Sequence, residues 1–86
     1  MTVSILDKLL AEYRRATAAH NWDGYTMDQM GQALCGELLE MGEAEGRRDI
    51  HGPHGMIAEA LQVAVVAIRT AERLAVLHPV IEVPRG

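Results

Sequence analysis

The segment from residue 53 to residue 77 places the strongest constraint on the fold, because apolar side chains surround almost the whole of a helix drawn through it. At 100° per residue only a narrow stripe is polar. Its polar members are Glu59, Gln62, Arg69, Thr70 and Arg73. A helix that is apolar nearly all round is normally buried. Two neighbouring helices cannot cover that much surface, so the pattern predicts a homodimer or a larger assembly such as a tetramer.

Two further helices are predicted upstream, over residues 5–20 and 27–45. Ser4 stands before the first helix, and Thr26 with Gln29 forms a T-x-x-Q capping box before the second. Pro53 suits the first turn of the third helix, and Pro79 ends it. The sequence therefore predicts an all-α fold of three antiparallel helices, with one domain over residues 1–79, a tail over residues 80–86, and a core completed by oligomerisation.

Composition excludes several classes of protein. The chain has 86 residues, a net charge of -4, 49% apolar residues and one cysteine. The acidic balance argues against a nucleic-acid partner, and a single cysteine excludes an internal disulfide framework. The longest apolar run, residues 63–68, is far too short to span a membrane. The start of the chain lacks a signal-peptide pattern, so a cytoplasmic location is expected.

Acidic residues on the second and third helices form the candidate site. Glu37 lies within the apolar face of the second helix, and Glu40 follows one turn later. A carboxylate in that position is costly unless it is paired, protonated or bound to a cation. If the second and third helices pack antiparallel, Glu59 and its neighbour Gln62 approach them. Three carboxylates suit Mg²⁺, although solvated surface charge or a Glu–Arg ion pair explains the same spacing.

These residues stand in a recognisable order. Residues 36–40 read GELLE, and residues 59–67 read EALQVAVVA after a loop. This arrangement resembles the MazG-like nucleoside triphosphate pyrophosphohydrolases, whose signature is E-E-x-x-E on one helix and E-x-x-D on the next. Residues 20–24, HNWDG, also resemble the turn after the first helix in small phage-type members. The resemblance covers roughly residues 10–75.

The resemblance implies an oligomeric enzyme that uses Mg²⁺, or Mn²⁺, to hydrolyse a nucleoside triphosphate to a monophosphate and pyrophosphate. In this pattern Glu37, Glu40 and Glu59 match metal ligands, and Glu40 also orients the attacking water. Two positions depart from the pattern, because Gly36 replaces the first Glu and Gln62 replaces the Asp. Gln62 still offers an amide oxygen to the metal.

Three further residues are candidates for substrate contact. Trp22 can stack on a base, although the single tryptophan beside a turn also suits the end of a core. Arg69 and Arg73 share the polar stripe with Glu59 and can reach phosphates, although ion pairing or exposure explains them as well.

Two other interpretations stay open at this stage. In the first, the chain is a non-catalytic helical dimer or interaction module, and Glu37 pairs with an arginine such as Arg69 or Arg73. The second concerns the histidine-rich segment HGPHG, residues 51–55, which can bind a borderline metal. Its two histidines, His51 and His54, have no acid or cysteine at ligand spacing, so a turn before a helix is the simpler interpretation.

Overall fold

Three α-helices make up the structure, a computed structural model that describes residues 4–79. They are α1 (Ile5–Ala19), α2 (Met27–Gly46) and α3 (Met56–Leu77), and no strand is present in the described part of the chain. The all-α fold is therefore confirmed. The tail over residues 80–86 lies outside the described residues.

Side-chain caps set where the first two helices begin. The backbone N–H of Asp7 donates to the Ser4 hydroxyl at 3.0 Å. At α2 the capping box is complete, because the Thr26 hydroxyl accepts from the Gln29 N–H while the Gln29 side chain accepts from the Thr26 N–H. Such caps satisfy backbone donors that the first turn of a helix leaves unpaired.

The third helix begins at Met56, three residues later than the predicted Pro53. The reason is a compact turn between Asp49 and Met56, in which backbone groups form hydrogen bonds within the turn and not within a helix. The Asp49 side chain accepts from the Gly52 N–H at 2.9 Å, and the Asp49 carbonyl accepts from the Met56 N–H at 2.8 Å. Pro53 therefore lies in this turn, and Gly55 is the N-cap of α3.

Both α1 and α2 pack on α3 and make no helix–helix contact with each other. Glu59, at the start of α3, lies beside the second half of α2, so α2 and α3 form an antiparallel hairpin. The small core is apolar and comes from all three helices. Its buried members are Ala16, Met30, Ala44, Val65 and Val66.

The polar stripe of α3 faces into the molecule, and part of its apolar surface faces out. Glu59 and Arg69 are buried, whereas Ile68 is 39% exposed and Val76 is 70% exposed. Ala67, Ala71 and Ala75 are also exposed. Within one chain α3 is thus incompletely covered. None of the described helices is long and apolar enough to cross a bilayer.

Candidate metal centre

Three carboxylates converge where the second half of α2 faces the first turn of α3. Glu37 and Glu40 lie one turn apart on α2, and Glu59 projects from the first turn of α3. One carboxylate oxygen of each side chain lies within 4.8 Å of the other two. The Glu59 N–H donates to the Gly55 carbonyl at 2.9 Å, which sets the start of α3 and so the position of Glu59. We call these three residues the carboxylate cluster.

Two members of the carboxylate cluster are withdrawn from water. Glu59 is only 5% exposed, and Glu37 is half-buried. The Oε2 atoms of both are buried and have no hydrogen-bond partner among the described residues. Leaving such an oxygen unsatisfied costs about 1–3 kcal/mol, and more when it carries charge. The arrangement therefore favours a proton or a cation at this point.

The electrostatics of the cluster lead to the same conclusion. Burial raises the pKa of the Glu37 carboxyl above its ordinary value, and the neighbouring charges of Glu40 and Glu59 raise it further. Burial likewise raises the pKa of Glu59, with Glu40 adding to the effect. Like charges this close disfavour the ionised forms unless an opposite charge enters.

No lysine or arginine among residues 4–79 forms an ion pair with the carboxylate cluster. The one basic group in range is His54, whose Nδ1 lies 3.6 Å from Glu59 Oε1. The Glu37–arginine pair expected of a non-catalytic module is therefore not formed by Arg69 or Arg73.

A cleft of about 560 Å³ opens over the cluster, with α1 as its opposite wall. Lys8, Glu12 and Arg15 line that wall. The Arg15 guanidinium donates to the Glu12 carboxylate at 2.9–3.3 Å and lowers the pKa of Glu12. The cleft thus has the three carboxylates on one side, and on the other Lys8 and an Arg15 that is paired with Glu12.

Gln62 lines the same cleft one turn beyond Glu59. Its amide Nε2 donates to Glu12 Oε2 at 2.5 Å, which ties α3 to α1. The structure thus places Gln62 beside the carboxylate cluster, with its amide nitrogen held by Glu12.

Trp22 and Arg69 meet in a second cavity, whose lining includes one member of the cluster, Glu37. The Arg69 guanidinium carbon lies 4.5 Å from the centroid of the Trp22 ring, and Tyr25 stacks on Trp22 with ring centroids 5.0 Å apart. Arg69 also donates to the carbonyls of Ala16 and His20 at the end of α1. A cavity of about 350 Å³ lies against these groups and is also lined by Glu37, Gln62 and Arg15.

Arg73 lies elsewhere. It lines a smaller cavity, of about 220 Å³, with Trp22 and Asp23 and with none of the three carboxylates. Trp22 and Arg69 line this smaller cavity as well, but of the three residues only they also line the cavity that Glu37 reaches.

Four polar residues of the cleft were not predicted as part of the site: Lys8, Glu12, Arg15 and His54. The spacing of the first three indicates that they lie together on one side of α1, because positions i, i+4 and i+7 share one face of a helix. That face becomes relevant only once α1 is known to lie across from the carboxylates. His54 approaches them because of the turn before α3, whose shape the sequence pattern did not reveal.

No protein-family model, curated protein or solved structure matches this chain. The fold and site define an all-α protein with a carboxylate cluster in an open cleft.

Proposed function

We propose that this protein hydrolyses a nucleoside triphosphate to a monophosphate and pyrophosphate with the help of Mg²⁺ or Mn²⁺. One observation carries the proposal: the buried and unpartnered Oε2 of Glu59 lies within a cluster of three carboxylates. An isolated acidic patch on a surface would be solvated. Here the burial costs stability unless a proton or a cation binds, and a bound cation leaves all three carboxylates ionised.

The ligand set supports a hard divalent cation. Magnesium takes oxygen ligands, binds through few carboxylates and shares its remaining positions with water and substrate phosphates. Glu37, Glu40 and Glu59 would hold the ion. When bound, the metal neutralises phosphate charge and acidifies a water molecule.

The chain's own groups supply the remaining roles. Glu40, the exposed member of the cluster, orients the attacking water and takes its proton. The water oxygen forms a new bond to phosphorus, and the oxygen bridging the α- and β-phosphates leaves with its electron pair. Lys8 and Arg15, across the cleft, contact the phosphates.

The neighbouring cavity suits the nucleoside end of the substrate. It adjoins the cleft through Arg15, Glu37 and Gln62, so a ligand can extend from one into the other. Trp22 forms the aromatic wall of this cavity, and Arg69 holds the ring in place. The resemblance of residues 36–40 and 59–67 to the MazG-like signature supports the same reaction.

The test is release of pyrophosphate from a panel of ribo- and deoxyribonucleoside triphosphates with Mg²⁺ and with Mn²⁺. Glu37→Gln and Glu59→Gln should abolish release, because each removes a metal ligand with little change in shape. Glu43→Gln is the matched control, since Glu43 is exposed on the same helix and outside the cluster. Wild-type protein that releases no pyrophosphate from any nucleotide would refute the proposal.

A second candidate is self-association, alone or together with catalysis. The outward face of α3 favours it, because exposed small side chains there permit close helix approach. We infer that a second copy covers this face and gives a homodimer or tetramer. Sedimentation velocity should show association that Ile68→Glu abolishes; a wild-type monomer at tens of micromolar would exclude it.

A further inference from the structure

The turn between α2 and α3 places the His54 imidazole beside Glu59 of the carboxylate cluster. His54 Nδ1 lies 3.6 Å from Glu59 Oε1, while the His54 side chain is 84% exposed. Because the His54 side chain is exposed to solvent, its pairing with Glu59 contributes little to stability. It also leaves Glu59 Oε2 without a hydrogen-bond partner among residues 4–79. An ion pair alone therefore does not explain why the turn holds a histidine here.

The turn is built with little freedom. The Arg47 side chain donates to the His54 carbonyl at 3.2 Å, and the Gly55 N–H donates to the Gly52 carbonyl at 3.0 Å. A Cβ on Gly52 would lie 2.5 Å from Asp49 Oδ2, and one on Gly55 would lie 2.8 Å from the Ile50 carbonyl oxygen. Gly55 thus requires glycine, because the clash there is with backbone, whereas a side chain at Gly52 would displace the Asp49 carboxylate from its hydrogen bond in the turn. These contacts hold the backbone that carries His54 against the start of α3.

The distances suit a shared metal ion. At a metal–ligand bond length of about 2.1 Å, two ligand atoms of an octahedral ion lie roughly 3.0 Å apart when adjacent and roughly 4.2 Å apart when opposite. The separation of 3.6 Å between His54 and Glu59 and the separations of up to 4.8 Å among the three carboxylates lie within an ångström of these values. His54 lies outside the group of atoms that are all within 4.8 Å of one another, so its exposed imidazole would turn further toward Glu37 and Glu40 when the ion binds.

We propose that His54 is a fourth ligand of the centre, so that the site takes a divalent first-row transition metal such as Mn²⁺ or Co²⁺ in preference to Mg²⁺. Three carboxylates alone suit Mg²⁺ and Mn²⁺ about equally well. An imidazole nitrogen shifts the preference, because it binds transition metals strongly and Mg²⁺ poorly. This inference rests on the cation site of the proposed function and identifies the class of ion.

The matched control lies in the same turn. His51 is exposed, lines no part of the cleft and forms no ion pair with a carboxylate in the described chain. Both His54→Ala and His51→Ala remove an exposed imidazole and should leave the fold intact, which circular dichroism can verify. Only His54→Ala should alter the metal centre.

The experiment measures binding of Mg²⁺, Mn²⁺ and Co²⁺ alone, without nucleotide, by titration, and examines the Mn²⁺ complex for nitrogen coupling by pulsed electron paramagnetic resonance. Wild-type protein and His51→Ala should show nitrogen coupling and bind Mn²⁺ at least tenfold more tightly than Mg²⁺. His54→Ala should lose the coupling and about tenfold or more in Mn²⁺ affinity, with a larger loss for Co²⁺ and little change for Mg²⁺.

The outcomes separate this inference from the proposed function. Mn²⁺ bound to the wild type without nitrogen coupling, or coupling that survives in His54→Ala, overturns the role of His54 and leaves the carboxylate site standing. Failure of all three ions to bind at millimolar concentration overturns both proposals.

Discussion

Two buried charges on one helix have opposite surroundings. Glu59 and Arg69 both lie on α3 and are 5% and 9% exposed. The Arg69 guanidinium is satisfied by two backbone carbonyls at the end of α1 and by the face of Trp22. Glu59 lies among other carboxylates, and one of its oxygens has no partner within residues 4–79.

The difference shows how to distinguish a structural charge from a binding charge. A buried charge that the protein itself compensates joins elements of the fold, as Arg69 joins α3 to α1. A buried charge that the protein does not compensate lowers stability and is explained when an external ion supplies the compensation. Burial alone does not separate the two cases, whereas the partners of each charge do.

The largest effect is expected from removing the compensated charge. Arg69→Met should lower the free energy of unfolding by about 3 kcal/mol, because the guanidinium's hydrogen bonds to the α1 carbonyls and its contact with Trp22 are lost. In metal-free protein, Glu59→Gln should lower the free energy of unfolding by less than about 1 kcal/mol, or should raise it, because the substitution removes an uncompensated charge. Urea unfolding followed by circular dichroism measures both. A loss at Glu59→Gln as large as that at Arg69→Met would make Glu59 a structural charge as well.

An intermediate effect is expected at the aromatic partner of Arg69. Trp22→Leu should cost about 1 kcal/mol through the lost cation–π contact. A double-mutant cycle with Arg69→Met isolates this contact, since the Trp22 substitution should have less effect once Arg69 is absent. Strictly additive losses would show that Trp22 and Arg69 are not coupled.

The smallest effect is the pH dependence of metal-free protein. Because the pKa values of Glu37 and Glu59 are raised above 4.5, their contribution to stability is fully present below that pH and is lost as the pH rises through the raised values. The lowered pKa of Glu12 acts in the opposite direction and in a lower window: its contribution is present above pH 4.5 and lost below it.

Thermal melts in a chelator between pH 4 and pH 8 should therefore show a melting temperature that falls above about pH 4.5. Glu37→Gln should reduce the decline, since it removes one of the two titrating groups and some of the repulsion on the other. A melting temperature in wild type that rises steadily across this range would contradict the assignment.

The sequence by itself determined the three helices and the carboxylate side of the cleft. The T-x-x-Q box and the 3.6-residue periodicity are local signals, so they located α1 and α2 to within one residue at each end. The carboxylates on α2 stood out because acids interrupted an apolar face. Their convergence with Glu59 followed once the hairpin was assumed to be antiparallel.

Only the tertiary structure decided how the charges on α3 are compensated and which groups complete the cleft. Glu59 and Arg69 belong to the same polar stripe. Nothing in their spacing separates a carboxylate with one oxygen unpartnered among residues 4–79 from a guanidinium that the fold compensates. The partners of Arg69 are carbonyls at the end of α1, 53 and 49 residues away. The partner of Glu59, His54, lies in a turn whose backbone hydrogen bonds moved the start of α3 past Pro53. Contacts between distant segments produce no periodic pattern in the sequence, and neither do turns that are formed by side-chain hydrogen bonds. Only the three-dimensional structure therefore shows them.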